Sequence, residues 1–263
     1  MSDIDIAGIL AEHEPLAGSI AEAKKVAYEI SKDDMLLDFF VRAVFPTDHR
    51  KAIEAYFTGG EDCAKRFANL CREHLSSGPA SVLEFASGYG RVARYAMHVL
   101  PDAAWVSSDV HPNAVEFLSN KIGVRAHLSS TKPEDWSIDD EFDVVFALSF
   151  FSHMPDATFA PWLSRVLTAV KPGGILIFTT HGAVTLRNMR AGGLPAQFDG
   201  TGFYWNSKSD QRDLDARDYG TSAVSLGYVQ KAVSDVEGVE LIRFQQAFWW
   251  GHQDLYVVRK LDQ

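Results

Sequence analysis

Hydrophobic spacing along the chain changes twice, and each change marks a different kind of structure. Up to about residue 77 the apolar positions keep helical spacing. Ile20–Tyr28 and Asp34–Val41 predict two helices, and Thr47 or Asp48 suits the cap of a third that contains Ile53, Tyr56 and Phe57. Thr58-Gly59-Gly60 reads as a breaker before a fourth helix carrying Cys63, Phe67, Leu70, Cys71 and Leu75. From Gly78-Pro79 onward, short apolar runs alternate with helical stretches. Val82–Phe85 predicts a buried strand, Gly88 and Gly90 a tight turn, and Val92, Tyr95, Ala96 and Val99 a helix closed by Pro101. Ala104-Trp105-Val106 predicts a second strand, Phe142–Leu148 a fourth and Ile175–Thr180 a fifth. Before the fifth, a helix has Leu163, Val166, Leu167 and Val170 on its apolar face and Pro161 near its start. Such alternation predicts an α/β fold with a largely parallel sheet covered by helices on both faces.

After the fifth strand the alternation stops. Residues 183–222 place Gly192-Gly193, Pro195, Gly200 and Gly202 around Phe203-Tyr204-Trp205, an insertion of the kind that often forms a lid or a binding loop. Its aromatic residues also suit simple packing of a surface excursion. A helix over 225–236 then leads to two strands, Val239–Trp249 and Asp254–Arg259, whose short connection predicts an antiparallel pair at the sheet edge. The chain thus divides into a helical N-terminal cap, residues 1–77, and a domain of residues 78–263 with its insertion at about 183–222.

A strand, a glycine turn and a helix in succession expose backbone N–H groups to a carboxylate or phosphate. Asp109 follows the second strand about twenty residues later, where a carboxylate reaches ribose hydroxyls in nucleotide-binding α/β folds. It is equally suited to the turn before Pro112, itself placed for a first helical position. Glu84-x-x-x-Gly88-x-Gly90, Asp109, the strand at Phe142–Leu148 and the turn Val170-Lys171-Pro172-Gly173-Gly174 together resemble class I S-adenosylmethionine-dependent methyltransferases, from about Ser81 to the C-terminus. The resemblance implies a Rossmann-like sheet whose antiparallel last strand inserts beside the fifth. It implies S-adenosyl-L-methionine as cofactor, with Glu84 ordering the turn, the Ala86–Gly88 backbone facing the methionine part and Asp109 binding the ribose. Ser87, Gly90, Val110, Ser130 and Leu148 complete the cofactor-binding set expected on this basis. Ala86 departs from the family's three glycines, and close ligand approach survives there only if the position does not require φ > 0. The cap is expected to cover the acceptor side of the sheet, with Tyr56-Phe57 near the cofactor.

Composition narrows the partners. With 263 residues, 46% hydrophobic and 23% charged, the chain has enough apolar material for one large core and an appendage. A formal charge of −10 argues against a nucleic-acid substrate, which requires a basic surface. No apolar run has the length of a membrane helix, and the acidic start Met1-Ser2-Asp3 is unlike a secretory signal. Cys63 and Cys71, eight residues apart on one helix, are too distant for a disulfide. A reducing cytoplasm is the expected compartment.

For the reaction itself, a hydroxyl acceptor needs a group to take its proton, and histidine suits that task. His153 follows the fourth strand and His181 ends the fifth, both at the edge where open α/β sheets bind ligands. They are the candidate catalytic residues, with His252 third, although a lone histidine is more often structural. Phe150, Phe151, Phe203, Tyr204, Trp205, Trp249 and Trp250 are candidate walls of an acceptor pocket, suited to sugars or planar metabolites. Tyr219-Gly220-Thr221-Ser222 with Gly251–Tyr256 resembles methyltransferases of glycans and small molecules. No carboxylate stands at Ala147-Leu148-Ser149 and no histidine–cysteine cluster has zinc spacing, so no metal is expected. The expected activity is O-methylation of a small molecule or sugar-containing acceptor. The alternatives are a non-catalytic S-adenosylmethionine-binding scaffold and a nicotinamide-dependent oxidoreductase, the latter lacking its six-residue glycine fingerprint.

Overall fold

The computed structural model describes residues 4–208 and 214–262. In chain order it comprises α1 (Ile6–Lys24), α2 (Met35–Phe39), α3 (His49–His74), β1 (Ser81–Phe85), α4 (Ala96–Val99), β2 (Ala104–Asp109), α5 (Pro112–Phe117) and β3 (Arg125–Leu128). There follow β4 (Phe142–Ala147), α6 (Asp156–Thr168), β5 (Val170–His181), α7 (Ala183–Ala191), β6 (Phe203–Asn206), β7 (Thr221–Val224), α8 (Leu226–Ser234), β8 (Val239–Trp249) and β9 (Gln253–Lys260). Among the described residues, seven strands form one sheet in the order β3-β2-β1-β4-β5-β9-β8, and β6 pairs with β7 separately. The pairs β1–β4, β4–β5 and β2–β3 are parallel, while β9 runs antiparallel to both β5 and β8. This is the Rossmann-like arrangement, with flanking helices and an antiparallel ending.

Chain contacts define two compact units. The first holds residues 1–78 and 87–128. Its helical part buries Ile6, Ile9, Leu37, Val41, Ile53, Tyr56 and Phe57 in one apolar cluster. Asp48 caps α3 as its side chain suggests, accepting from the Lys51 N–H at 3.1 Å. The expected break at Thr58-Gly59-Gly60 is absent, and α3 runs through it for 26 residues. Here glycine serves close approach: a Cβ on Gly60 would lie 2.3 Å from the Arg91 carbonyl. Packing of a long amphipathic face outweighs the cost of about 1 kcal/mol for each interior glycine. The helix expected after the glycine turn is also reduced, to a 3-10 turn Ala93–Tyr95 and the single turn α4. Arg94 draws this segment inward, donating to the carbonyls of Ala27, Glu29 and Gly90. At the N-terminus, α1 covers Ile6–Lys24 rather than reaching Tyr28, because Lys25 turns left-handed (φ 56°) and closes it.

The second unit holds residues 79–86 and 129–263. Its centre is aromatic: Phe85 packs on Trp136, Phe150 and Trp162 with ring centroids 4.9–5.5 Å apart. The segment Lys171–Gly174, read as a turn before the fifth strand, is folded into β5 as a bulge. Phe142 pairs with Val170 but Val144 pairs with Ile175, so the extra residues loop out of register. Gly174 is needed there, since a Cβ would meet the Asp143 carbonyl at 2.8 Å. The insertion is built of α7 and the β6–β7 hairpin, and residues 209–213 of it lie outside the described residues. Among the described residues no helix is long and apolar enough to cross a membrane.

Candidate active site

In the first unit, the turn after β1 is built around the carboxylate of Asp109. The Gly88 N–H donates to Asp109 Oδ2 at 2.8 Å, while Asp109 Oδ1 accepts from the His111 N–H at 3.0 Å and lies 2.8 Å from His111 Nδ1. The Ser87 N–H donates to the Ser108 carbonyl and Ser87 Oγ accepts from the Ser108 N–H, so turn and strand end are laced together. Asp109 therefore does serve the local turn, as its position before Pro112 suggested. The two glycines differ in task. Both have positive φ, at 56° for Gly88 and 76° for Gly90. A Cβ on Gly90 would strike Leu118 and Ile122, whereas a Cβ on Gly88 would meet nothing within 4 Å. Gly90 is small for packing, and Gly88 faces open space that a ligand can enter. Val110 follows directly, half-buried, before the Pro112 helix.

The second unit holds the other candidates, Ser130 in the loop after β3 and the rest in or next to β1, β4, β5 and β9. Glu84 is buried within β1, and Ala86 follows that strand directly with φ 57°. The condition set for Ala86 therefore fails: the position does require a left-handed backbone. An L-residue there costs about 1–2 kcal/mol, against about 0.5–1 kcal/mol for the greater unfolded freedom of glycine. Ala86→Gly is expected to stabilise the protein by up to about 1 kcal/mol, read by urea unfolding. A loss of stability would show that the Ala86 methyl packs in a way that outweighs the strain. Ser130 accepts from the Lys132 N–H at 3.1 Å in the loop after β3, and Leu148 follows β4, half-buried.

After Leu148 the chain enters a second left-handed residue, Ser149 (φ 61°). A polar network holds it. The Ser149 N–H donates to Thr179 Oγ1 at 2.9 Å, Thr179 Oγ1 donates to Gln253 Oε1 at 2.7 Å, and Gln253 Nε2 donates to Ser149 Oγ at 2.7 Å. Three strand ends are thereby tied at one point. The loop that follows is fastened to the insertion: the Ser222 N–H donates to the Ser152 carbonyl and the Gly220 N–H to the His153 carbonyl. Nothing in the sequence spacing signalled this network, because its members lie 30 to 104 residues apart.

His153 and His181 come together here, with ring centroids 6.1 Å apart. His153 Nδ1 lies 2.8 Å from the Gly220 carbonyl and His181 Nδ1 lies 3.2 Å from the Ser222 carbonyl. A carbonyl only accepts, so each Nδ1 bears the proton and each Nε2 keeps its lone pair. The two carbonyls are two residues apart on one extended segment, which sets the imidazoles side by side on the same face. Burial holds the His153 pKa below the ordinary histidine value, opposed by the Gly220 bond. Burial, then the neighbouring His153 and His252, push His181 down to about 3. Both rings are neutral at pH 7. Of the aromatic walls expected from sequence, Phe151, Phe203 and Trp249 are taken into the core, and Tyr204 packs against the apolar cluster of Leu186, Ala196 and Ala223. Trp250 stays exposed beside His252. Tyr219 stacks on His153 at 4.5 Å, a contact that the sequence reading did not assign. No group of three or more metal-ligating side chains occurs among the described residues.

The chain is similar to several known proteins. Residues 82–174 match the family model of a methyltransferase domain. An S-adenosylmethionine-dependent methyltransferase from Clostridium acetobutylicum shares the fold with TM-score 0.57 at 13% identity, over 86% of this chain and 97% of that one. The plantazolicin methyltransferase BpumL gives TM-score 0.57 at 14% identity, over 94% and 100%. The 1,6-didemethyltoxoflavin-N1-methyltransferase of Burkholderia thailandensis gives 0.53 at 18%, over 83% and 90%. No curated protein matches the chain. The family match replaces the nicotinamide reading of the glycine turn. Residues 82–174 are thus similar to a methyltransferase domain, and the fold of the chain is the one shared by these S-adenosylmethionine-dependent methyltransferases.

Proposed function

We propose that this enzyme transfers the methyl group of S-adenosylmethionine to a hydroxyl of a small-molecule acceptor, with His153 as the general base. The observation that carries this reading is the pair of imidazoles whose Nδ1–H groups are fixed by the Gly220 and Ser222 carbonyls, leaving Nε2 acceptors at the strand ends. S-adenosylmethionine supplies an activated methyl on a sulfonium, which leaves as neutral thioether when the new bond forms. The chain then has to orient the acceptor oxygen and take its proton. His153 suits the proton better than His181. Its Nδ1 bond to a carbonyl is shorter, which steadies the charge an imidazolium acquires, whereas burial above all holds the His181 pKa at about 3, too low to take the proton well. His181 is assigned the positioning of the acceptor by hydrogen bonding.

On the cofactor side, Asp109 and the open face of Gly88 fit a ribose and its adjoining chain, with Ser87, Gly90 and Val110 as the surrounding backbone. Glu84, Ser130 and Leu148 are assigned to S-adenosylmethionine on the family resemblance, whereas Ala86, whose left-handed backbone fails the condition for close approach, is not. Asp109→Ala is expected to weaken S-adenosylhomocysteine binding by about 1–3 kcal/mol in calorimetry, through loss of charge-assisted bonds. Equal affinity in both proteins would remove Asp109 from the site. The reading as a whole is tested by incubating the protein with S-adenosylmethionine and a hydroxyl-bearing metabolite fraction, and following S-adenosylhomocysteine release. Cofactor binding without release above the background would favour the scaffold alternative.

A further inference from the structure

Five rings of the second unit stand in an unbroken row. Tyr219 stacks on His153 (4.5 Å, 11° between planes), His153 meets His181 at 6.1 Å, His181 meets His252 at 6.0 Å, and His252 stacks on Trp250 (6.1 Å, 26°). They come from the insertion, the loop after β4, the end of β5 and the β8–β9 connection. We propose that this row is the recognition wall of the acceptor site and that the acceptor is a planar aromatic ring bearing the reactive hydroxyl, with Tyr219 and Trp250 setting specificity at its two ends. The proposal rests on the acceptor site described above and names its substrate class.

Three observations support it. Trp250 is 40% exposed and sits at φ 51°, in the left-handed region that a bulky side chain rarely adopts. The left-handed backbone belongs to the β8–β9 hairpin turn, shared with Gly251 at φ 72°, but a turn position open to small polar residues gives no packing reason for a large apolar ring held at the surface. The row also offers π faces at both ends and, on His153 and His181, neutral nitrogen acceptors between them, which matches a flat ring with a hydroxyl on its edge. Acid strength agrees. An imidazole held below its ordinary pKa is a weak base, suited to a phenolic hydroxyl (pKa ~10) and poorly matched to an aliphatic one, which is nearer to water at ~15.7. In the transfer, the phenolic oxygen forms the O–CH₃ bond as the S–CH₃ bond breaks. The sulfonium becomes S-adenosylhomocysteine and the phenolic proton passes to His153 Nε2.

The test uses the full-length protein with S-adenosylmethionine and two probes, 7-hydroxycoumarin and methyl α-glucoside. The expected result is methylation of 7-hydroxycoumarin, with its KM raised about tenfold in Trp250→Ala and in Tyr219→Ala while kcat is nearly kept, as loss of a stacking partner requires. Trp250→Phe, which keeps a ring, should restore most of the affinity. Methylation of methyl α-glucoside alone, or an unchanged KM in both alanine variants, overturns the inference. So does failure of 7-hydroxycoumarin to bind at millimolar concentration in the presence of S-adenosylhomocysteine. His153→Asn separates the two levels. If that variant methylates 7-hydroxycoumarin at the full rate while the Trp250 effect stands, the base is wrong and the ring class is right. If it abolishes methylation of the glucoside only, the base is right and the ring class is wrong.

Discussion

His153→Ala lowers kcat by about 10²–10⁴-fold and leaves S-adenosylhomocysteine affinity unchanged, the effect expected of losing a general base. The ring is fixed by the Gly220 carbonyl and by Tyr219, so alanine also removes packing, and the variant has to be shown folded by its unfolding transition. His153→Asn supplies the control, because its amide still donates to the Gly220 carbonyl but has no basic nitrogen. A fall in rate in both variants with an intact unfolding midpoint identifies the base. Wild-type turnover in a folded variant removes His153 from the chemistry and leaves positioning to carry the reaction.

Acid should destabilise this protein through His181. Its folded pKa is about 3, against about 6.5 when unfolded, so between those values the unfolded chain binds a proton that the native one refuses. Stability from this group is complete above pH 6.5 and is lost as pH falls towards 3, at roughly 1.4 kcal/mol per pH unit. From pH 7 to pH 5 the loss is about 2 kcal/mol. The buried Asp254 carboxyl, raised by burial, acts in the opposite sense, so the wild-type curve alone does not isolate the histidine. The difference between wild type and His181→Gln does. Urea unfolding at pH 7 and pH 5 should show a smaller drop in the variant, and equal drops would mean that His181 is protonated in the folded state.

Local pattern made some elements legible and left others hidden. Val82–Phe85, Phe142–Ala147 and Ile175–Thr180 were readable because short, mostly apolar runs report burial directly, and the final strand pair because Gly251-His252 marks a short connection. Arg125–Leu128 was not, since a half-exposed strand carrying Arg125 and His127 has no apolar run. Gly59-Gly60 misled because a glycine needed for the approach of Arg91 has the same letter as one that ends a helix. In the candidate site, His153 and His181 were singled out from their places after strands. Their shared anchoring on Gly220 and Ser222 was hidden, as was the Ser149–Thr179–Gln253 network, because each joins segments distant in sequence. Only tertiary pairing brings them within hydrogen-bonding distance.

The position of β9 between β5 and β8 has a consequence for biogenesis. On the ribosome, β5 emerges some seventy residues before its neighbour, and its open edge is a template for pairing with another nascent chain until β9 arrives. Gln253, which ties Ser149 to Thr179, arrives with that same strand. The proposed acceptor site therefore closes only after β9 has emerged, and until then the chain is exposed to aggregation at β5, the strand that carries His181.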